Sequence, residues 1–483
     1  MVIFIMGVLI ICLGLTMVFP LLVSLYYQDG ATMALGLSLL TVVGVGAVLT
    51  WGARHREKTL LSHREGLAIV GLCWIAASLA GGLPYILGGH ISFTDAVFES
   101  ASGFTTTGAS ILSDVESMPK GILLWRSLTH WLGGMGIILL SLAILPLFGM
   151  GGMQLYKAEV PGPSPDKLTP RLQDTAMLLW KVYGLLTIVQ IILLILAGMD
   201  TFDAVNHTFA TVATGGFSTK NTSIAAFPSP VIQWILIVFM FLAGINFALH
   251  YKWLRGDFKV YRLDRECVLY TVLIFLGGAL ITLGLVWRGV MPFDTLSNIE
   301  ATVRAAYFQA VSICTTTGFV SENFALWPAA TLCVLLFLMF LGGCAGSTSG
   351  GMKVMRIRVL YELINQEIFR LVHPHSVRHL KMGGQTLAPT VVTGVVGFIL
   401  LYLCILFAST FILTIFELDL VTAFTATLTC LSNVGPGLGS VGPVENFGHL
   451  PNPVKWVLTL CMLIGRLEIY AIFILFVPEF WKH

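Results

Sequence analysis

Ten runs of about 20 or more mostly apolar residues divide this chain, and each run is long enough to cross a membrane. A helix that spans the hydrocarbon core of a bilayer needs about 20 apolar residues. The composition agrees, because 11% of the 483 residues are charged, against about a quarter in a typical soluble domain. We therefore predict an all-α polytopic membrane protein. The runs lie at 2–27, 31–51, 66–87, 121–148, 175–198, 229–250, 267–287, 327–346, 389–416 and 454–477.

Basic residues cluster in every second connection between these runs. Lysine and arginine are enriched in the cytoplasmic connections of membrane proteins. If the runs alternate in direction, the basic connections share one side and both termini are predicted to be cytoplasmic. The first run has no basic stretch before it and is too long for a signal-peptide core, so we interpret it as a retained helix. The basic residues are Arg54, Arg56, Lys58, Arg64, Lys157, Lys167, Arg171, Lys252, Arg255, Lys259, Arg262, Arg265, Lys353, Arg356, Arg358, Arg370, Arg378 and Lys381.

On the opposite side, four short apolar segments lie between paired runs and align with one another without a gap. They occupy 95–108, 203–216, 305–318 and 422–435. Each is too short to cross, has alanine at its second position and ends in glycine. About 25–30 residues after each glycine, a Leu-x-Gly occurs in the following run. Four such segments in register indicate an internal repeat.

The repeat indicates a cation pore. Non-helical backbone cannot face lipid, because its polar groups would lose water without compensation, so it must be buried or line a cavity. Four segments that meet on one axis present backbone carbonyls that can replace the hydration shell of a potassium ion. Glycine permits the backbone angles required there, and the negative C-terminal ends of short helices favour a cation. The predicted potassium ligands are Thr106, Thr107, Gly108, Thr214, Gly215, Gly216, Thr316, Thr317, Gly318, Asn433, Val434 and Gly435.

The repeat also predicts the organisation of the chain. We expect four pseudo-repeats of helix, pore helix, filter loop and helix around one central pore, preceded by two extra N-terminal transmembrane helices. The predicted divisions are 1–60 for those two helices, then 61–165, 166–262, 263–378 and 379–483 for the four repeats.

The motifs resemble the TrkH/KtrB superfamily of potassium transporters, and within it the TrkH family. The resemblance spans essentially the whole chain. It implies potassium uptake across the bacterial inner membrane, a homodimer with one pore in each protomer, and a cytoplasmic TrkA-type partner that binds NAD(H) and adenine nucleotides. It implies potassium as the transported ion and no organic cofactor on this chain. The matching stretches are 105–108, 158–163, 342–348, 371–374, 433–439 and 465–468.

The filter departs from the TVGYG signature of potassium channels. One glycine position is common to all four segments, and Pro436 follows it in the fourth. This pattern predicts a shorter filter with weaker discrimination against sodium or rubidium.

A glycine-rich stretch, 342–351, interrupts the run at 327–346. Because glycine costs about 1 kcal/mol per residue inside a helix, we expect the helix to break below the filter. The resemblance implies that this stretch is a mobile intramembrane loop that closes the pore, and that Arg466 projects into the pore against it. The implied gate residues are Gly346, Gly350, Gly351, Lys353 and Arg466.

Four charged or titratable side chains within the runs and segments need partners. Glu468 lies two residues from Arg466, so the two side chains do not face each other on a helix and we expect them to have different partners. Glu99 and His207 occupy the same alignment position in two segments. We expect them to polarise the outer mouth or to anchor the pore helices.

Parts of the sequence also suggest other classes of protein. The stretch from Gly346 to Lys353 lacks the G-x-x-x-x-G-K-[ST] order of a phosphate-binding loop, and no catalytic set stands out, so we do not predict an enzyme. His373, His375 and His379 lie in a basic connection, where solvated histidines are commoner than a metal site. The channel-like subunit of an ATP-driven potassium pump and a less selective monovalent cation transporter stay open. So does the choice between channel and symporter.

Basic loops at 252–265 and 353–381 are either docking surfaces for the partner or membrane-orienting charges.

Overall fold

The computed structural model describes residues 2–54, 63–136, 172–374, 381–382, 385–387 and 389–481. The regular secondary structure of these residues is helical apart from one short antiparallel hairpin, β1 (Lys381–Met382) and β2 (Gln385–Thr386). Turns of 3₁₀ helix occur at Ser223–Ala226, Phe324–Leu326, Gly439–Val441 and Ile474–Phe476. The α-helices are α1 (Val2–Thr16), α2 (Val18–Tyr27), α3 (Thr32–Ala53), α4 (His63–Gly81), α5 (Leu83–Leu87), α6 (Phe93–Phe104), α7 (Lys120–Gly134), α8 (Leu172–Leu196), α9 (Thr201–Val212), α10 (Pro230–Ala243), α11 (Phe247–Leu254), α12 (Val260–Leu263), α13 (Arg265–Trp287), α14 (Leu296–Cys314), α15 (Ala329–Leu341), α16 (Val354–Val372), α17 (Pro389–Ile415), α18 (Leu420–Ser432), α19 (Asn452–Arg466), α20 (Tyr470–Phe473) and α21 (Pro478–Trp481).

Within the described residues, six helical stretches are long and apolar enough to cross a membrane. All six coincide with predicted runs. The first is α1 followed by α2, and the other five lie in α3, α4 with α5, α8, α13 and α17. Several predicted features lie outside the described residues, namely Arg56, Lys58, Lys157, Lys167, Arg171, Arg378, His375, His379 and the 158–163 stretch.

Four further helices, α6, α9, α14 and α18, lie where the repeat predicts pore helices, and we call them the pore helices. Each begins at a side chain that accepts a hydrogen bond from the backbone of its first turn. Such a cap satisfies one of the amides that have no partner at a helix start. The capping pairs are Ser92 with the amide of Asp95, Asp200 with Phe202, Thr295 with Asn298, and Asp419 with Thr422.

The helix that follows each pore helix ends at the aligned Leu-x-Gly. These helices, α7, α10, α15 and α19, are 13–15 residues long. We predicted such a break only in the run at 327–346. The run at 229–250 instead bends by 101° between α10 and α11, and the run at 454–477 ends its first helix at Arg466. The sequence analysis did not predict these two breaks.

The breaks occur where these helices approach the ends of the pore helices. A Cβ atom on Gly133 would lie 1.8 Å from the carbonyl oxygen of Phe104, and one on Gly465 would lie 2.0 Å from that of Leu431. Both carbonyls belong to the pore helix that precedes the glycine in the chain. Small residues allow helices in membranes to approach this closely. These two glycines therefore allow the first and fourth pore helices to pack directly against the helix that follows each of them.

We expect Gly133→Ala to destabilise the protein, since its methyl group must displace the backbone of the first pore helix. Overpacking of this kind costs about 1–3 kcal/mol or more. Gly184→Ala is the matched control, because Gly184 lies in α8 and a Cβ atom there would have nothing within 4 Å. The melting temperature of the detergent-solubilised protein should fall for Gly133→Ala and stay unchanged or rise for Gly184→Ala. Equal melting temperatures for the two variants would contradict this packing.

Candidate functional site

All four pore helices end in the same unusual backbone conformation. Thr106, Thr214, Thr316 and Asn433 have φ angles of 54°, 54°, 58° and 57°. This left-handed region is strongly disfavoured for β-branched residues such as threonine. Strain of this kind persists where the surroundings enforce it, most often at functional sites. The four positions are the first of the three predicted potassium ligands in each segment.

Two hydrogen bonds repeat at each of these ends. The left-handed residue donates its N–H three residues back, and the next residue donates five residues back, which is the Schellman pattern. The second bond runs from Thr107 to Ser102 at 2.9 Å, from Gly215 to Ala210 at 2.7 Å, from Thr317 to Ser312 at 2.8 Å and from Val434 to Thr429 at 2.9 Å. The same Schellman hydrogen-bond pattern therefore ends all four pore helices, although the four segments differ in sequence.

The glycines that end the segments close a ring. Gly108, Gly216, Gly318 and Gly435 have φ angles of 80°, 81°, 75° and 99°. A Cβ atom on each would meet a carbonyl oxygen of the next segment. The distances are 2.1 Å from Gly108 to Gly215 O, 1.9 Å from Gly216 to Thr317 O, 1.9 Å from Gly318 to Val434 O and 2.8 Å from Gly435 to Thr107 O.

These contacts run from the first segment to the second, third, fourth and back to the first. We call residues 106–108, 214–216, 316–318 and 433–435 the central ring. The structure thus brings together all twelve residues predicted as potassium ligands. Their threonine and asparagine side chains are fully buried.

Side-chain oxygens brace the central ring from within. Thr105 Oγ1 lies 2.7 Å from Thr107 Oγ1, and Thr315 Oγ1 lies 2.8 Å from Thr317 Oγ1. In the fourth segment, Asn433 Nδ2 donates to Thr107 Oγ1 at 2.9 Å and to the Met462 carbonyl at 3.0 Å. The asparagine therefore ties the fourth segment to the first.

The glycine-rich stretch 342–352, here called the glycine loop, follows α15 and lies where the pore helices end. The amide of Gly350 donates to Thr316 Oγ1 at 2.6 Å, and that of Gly351 donates to the Ser432 carbonyl at 2.9 Å. Thr348 Oγ1 donates to the Val212 carbonyl at 3.1 Å. The loop is thus hydrogen bonded to the ends of three pore segments.

Arg466 lies at the end of α19 and faces the glycine loop. Its guanidinium donates to the Thr348 carbonyl at 2.7 Å, to the Gly133 carbonyl at 2.6 Å and to the Gly134 carbonyl at 3.1 Å. A single side chain therefore joins the loop to the end of α7.

The other predicted gate residues lie at the same place. Lys353 Nζ donates to the Ser349 carbonyl, and a Cβ atom on Gly346 would lie 2.9 Å from the Asn246 side chain. A cavity of about 90 Å³ is lined by the loop, Lys353, Arg466 and Glu468. Glu468 pairs with Arg356 and not with Arg466, as expected from their spacing.

Comparison with known proteins connects this architecture with cation transport. The family model for TrkH, described as a cation transport protein, matches residues 37–483. The chain belongs to the TrkH family. TrkH-family proteins are transporters and not enzymes, in agreement with the sequence prediction.

Two relatives and one solved structure show how far the similarity extends. The Trk system potassium uptake protein TrkH of Escherichia coli strain K12 is 42% identical over 99% of this chain and 98% of its own length. TrkH of Halomonas elongata is 40% identical over 100% and 99%. The crystal structure of the potassium transporter TrkH from Vibrio parahaemolyticus has a TM-score of 0.88 and 39% identity, and covers 100% of this chain and 99% of that one. The predicted all-α polytopic fold is confirmed.

One ring residue of this TrkH-family protein has an explanation that the sequence did not reveal. The second segment has Gly215 where the others have Thr107, Thr317 and Val434. A Cβ atom there would lie 2.3 Å from His130 Nδ1. His130 Nδ1 donates to the Gly103 carbonyl at 2.9 Å, which leaves Nε2 to accept from the amide of Phe217 at 3.3 Å.

His130 thus occupies the space of a side chain and links the first two segments. In the sequence it is only a histidine within an apolar span. A contact between residues so far apart in the chain leaves no local pattern that would have revealed its role.

Glu99 and His207 lie beside the central ring and bind the segments that follow it. Glu99 accepts from the Ser110 hydroxyl at 3.0 Å, and His207 Nε2 lies 2.9 Å from Ser218 Oγ. Both side chains are fully buried. The structure therefore favours anchoring of the pore helices over polarisation of the outer mouth.

Metal coordination by side chains finds no support in the described part of the chain. No group of three or more His, Cys, Asp or Glu side chains that could hold a metal occurs there. His373 lies directly after α16, whereas His375 and His379 lie outside the described residues. All nine cysteines are free thiols.

We expect Gly216→Ala to disrupt the central ring and abolish cation uptake. The new methyl group would lie 1.9 Å from the Thr317 carbonyl oxygen, in addition to the left-handed penalty of about 1–2 kcal/mol. Gly30→Ala is the control, because Gly30 has a similar φ of 84° with nothing within 4 Å. Rubidium uptake into liposomes should be lost for Gly216→Ala and retained for Gly30→Ala. Normal uptake by both variants would show that the central ring tolerates a methyl group at position 216.

Proposed function

We propose that this chain takes up potassium across the bacterial inner membrane, with the central ring as its selectivity filter. The observation that carries the proposal is the closed contact of the four glycines with the carbonyls of Thr107, Gly215, Thr317 and Val434. Four carbonyl-bearing segments around one axis provide the oxygen ligands that a dehydrated potassium ion requires. The relatives named as potassium uptake proteins support the same ion.

The pore helices add an electrostatic contribution. Each of the four ends at the ring, and the C-terminal end of a helix carries about half a negative charge. The ring is removed from bulk water by burial, so these partial charges are weakly screened there. Four converging helix ends therefore favour a monovalent cation and disfavour an anion.

The shortness of the filter supports modest selectivity. The left-handed glycine is the last ring residue of each segment, and in the fourth segment Pro436 follows directly. Fewer stacked carbonyl layers than in TVGYG channels leave fewer sites at which potassium and sodium are distinguished. We propose that rubidium passes readily and that sodium is discriminated against less strongly than in those channels.

Ion flux into liposomes tests the proposal. Purified wild type and Gly318→Ser are compared for uptake of potassium, rubidium, sodium and lithium. Serine at 318 would place its Cβ 1.9 Å from the Val434 carbonyl oxygen, so the ring must widen. We expect potassium and rubidium uptake to exceed lithium uptake in the wild type, and this preference to fall in the variant.

The other outcomes of this comparison discriminate between the alternatives. If the wild-type protein shows no ion flux after a TrkA-type protein and ATP are added, the channel-like subunit of an ATP-driven pump becomes the better interpretation. If flux occurs and Gly318→Ser leaves the preference unchanged, the filter lies elsewhere. A dependence of uptake on an imposed proton or sodium gradient would identify a symporter, and its absence a channel.

The glycine loop and Arg466 form the proposed gate. The loop lies across the ends of the second, third and fourth pore segments, and Arg466 connects it to α7. A guanidinium within the ion path is also an electrostatic barrier to a cation, because like charges repel strongly where water is scarce. We propose that opening requires Arg466 to release the Thr348 carbonyl and the loop to leave the ring.

We expect Arg466→Ala to raise potassium uptake in the absence of any partner, since the variant lacks both the barrier and the three hydrogen bonds that join the loop to α7. Arg288→Ala removes the same charge from an exposed position after α13 and is the control. Initial rates of rubidium uptake should rise severalfold for Arg466→Ala alone. A rate equal to that of the wild type would show that the arginine does not close the pore.

Regulation and assembly complete the proposal. The basic stretches at 252–265 and 353–381, the second of which is mostly helix α16 and not the predicted loop, are proposed to face the cytoplasm with both termini and to dock a TrkA-type nucleotide-binding regulator. All eight residues from 252 to 259 are exposed, which suits a docking surface. The relatives are components of a Trk system by name, and addition of TrkA to the same liposomes tests this pairing. A homodimer with one pore in each protomer is proposed by resemblance, and the mass of the solubilised protein tests it.

A further inference from the structure

One alignment position beside the central ring has a different polar residue in three of the four repeats. Nine residues before the ring glycine stand Glu99, His207, Gln309 and Ala426. The first three contact a serine hydroxyl just after the ring, at Ser110 (3.0 Å), Ser218 (2.9 Å) and Ser321 (3.4 Å). In the fourth repeat the adjacent Thr425 Oγ1 accepts from the amide of Leu438 at 3.0 Å. Every pore helix thus holds the segment that leaves the ring.

The first repeat differs because the side chain that holds the residues after the ring, Glu99, is also part of an ion pair. Arg126 of α7 donates through Nε to Glu99 Oε1 at 2.6 Å, and the two side chains are 4% and 0% exposed. This is the most deeply buried ion pair in the described part of the chain. Transferring two charges out of water is costly, and a neutral pair of similar size is often no less stable. Overall stability alone therefore does not explain why charges are used here.

The ion pair joins two repeats. The Glu99 carboxylate also accepts from the amide of Ile111 at 2.9 Å, three residues after Gly108. The Arg126 guanidinium donates through Nη1 to the Ser218 carbonyl at 2.9 Å and lies 3.5 Å from the centre of the Phe217 ring. Phe217 directly follows Gly216. One ion pair thus fixes the residues that follow the ring in the first segment relative to those that follow it in the second.

The neighbouring boundaries are held by other means. Between the second and third segments, the amides of Ile224 and Ala225 donate to the Val320 carbonyl at 3.0 and 3.1 Å. Between the fourth and first, Lys455 pairs with Asp95 at 2.6 Å, but the Asp95 side chain is 22% exposed. The spacing of the first and second segments is therefore set by the buried guanidinium group of Arg126, which contacts both segments.

We propose that Glu99 and Arg126 are positioning residues for ion selectivity, which hold the first two ring segments at the separation that suits potassium. This rests on the proposed function of the central ring as a filter. A ring held at fixed width cannot contract around the smaller sodium ion, whereas a loosened ring can. The fork geometry of arginine permits simultaneous contact with Glu99, the Ser218 carbonyl and the Phe217 ring, which lysine cannot reproduce.

The test compares two variants with a matched control in the liposome assay. Glu99→Gln/Arg126→Met keeps the volume and the contact to Ile111 without burying a lone charge. Arg126→Lys keeps the ion pair but loses the fork. Glu300→Gln/Arg304→Met removes another ion pair, which lies within pore helix α14 and has side chains 40% and 13% exposed. The potassium-to-sodium ratio of uptake rates, the half-saturating concentration of each ion and the melting temperature are measured for each.

We expect the potassium-to-sodium ratio to fall about fivefold to tenfold in the double variant and roughly threefold in Arg126→Lys, the size of effect that loss of buried hydrogen bonds produces. The fall should come from tighter or faster sodium transport, with potassium uptake retained. The control should keep the wild-type ratio.

Two results would overturn the proposal. One is an unchanged ratio in a folded variant, and Arg126→Lys decides this if the double variant does not fold. The other is an equal fall in the control, which would indicate a general effect of removing an ion pair. Failure of the filter proposal is seen separately, in wild type and Gly318→Ser, where neither Glu99 nor Arg126 is changed.

Discussion

The close contact between each ring glycine and the carbonyl of the next segment is the constraint on which the rest of this structure depends. Four contacts of this kind close a ring only if the pore helices end at one level and in one conformation. The repeated left-handed residue and Schellman hydrogen bonds provide that conformation at the expense of strain in three threonines. The strain persists because burial and ring closure leave these residues no alternative arrangement.

The broken helices follow from the same constraint. A continuous helix of about 20 residues, the length that spans a bilayer, would pass the pore helix at a distance set by its side chains. With glycine at 133 and 465, α7 and α19 instead lie directly against the carbonyls of Phe104 and Leu431. Ending there frees backbone carbonyls within the membrane, and those of Gly133 and Gly134 find a partner in Arg466. The arginine thus satisfies backbone groups that lipid could not.

The sequence predicted the parts of this architecture that repeat. Among the described residues, length and hydropathy located six apolar helical stretches that match predicted runs, and four glycines in register located the ring, because each repeat carries its own copy of the signal. Contacts between repeats left no such signal. The role of His130 beside Gly215 depends on residues 85 positions apart, and α7 and α19 end where Gly133 and Gly465 meet pore-helix carbonyls. A span can be predicted from the length of an apolar run, because that length is a local property of the sequence. The position of a helix break depends on tertiary contacts of the helix, which the sequence does not show.

Covalent linkage of the four repeats permits each boundary of the ring to have its own chemistry. A pore of four identical chains would place the same side chain at every boundary. Here one boundary has an ion pair and a histidine, and another has the Asn433 amide. The glycine loop, in turn, binds Thr316 Oγ1 and the Ser432 carbonyl, which lie in or directly beside the ring. Removal of the loop therefore changes the hydrogen bonding of the ring itself, so the proposed gate and the proposed filter share these hydrogen bonds.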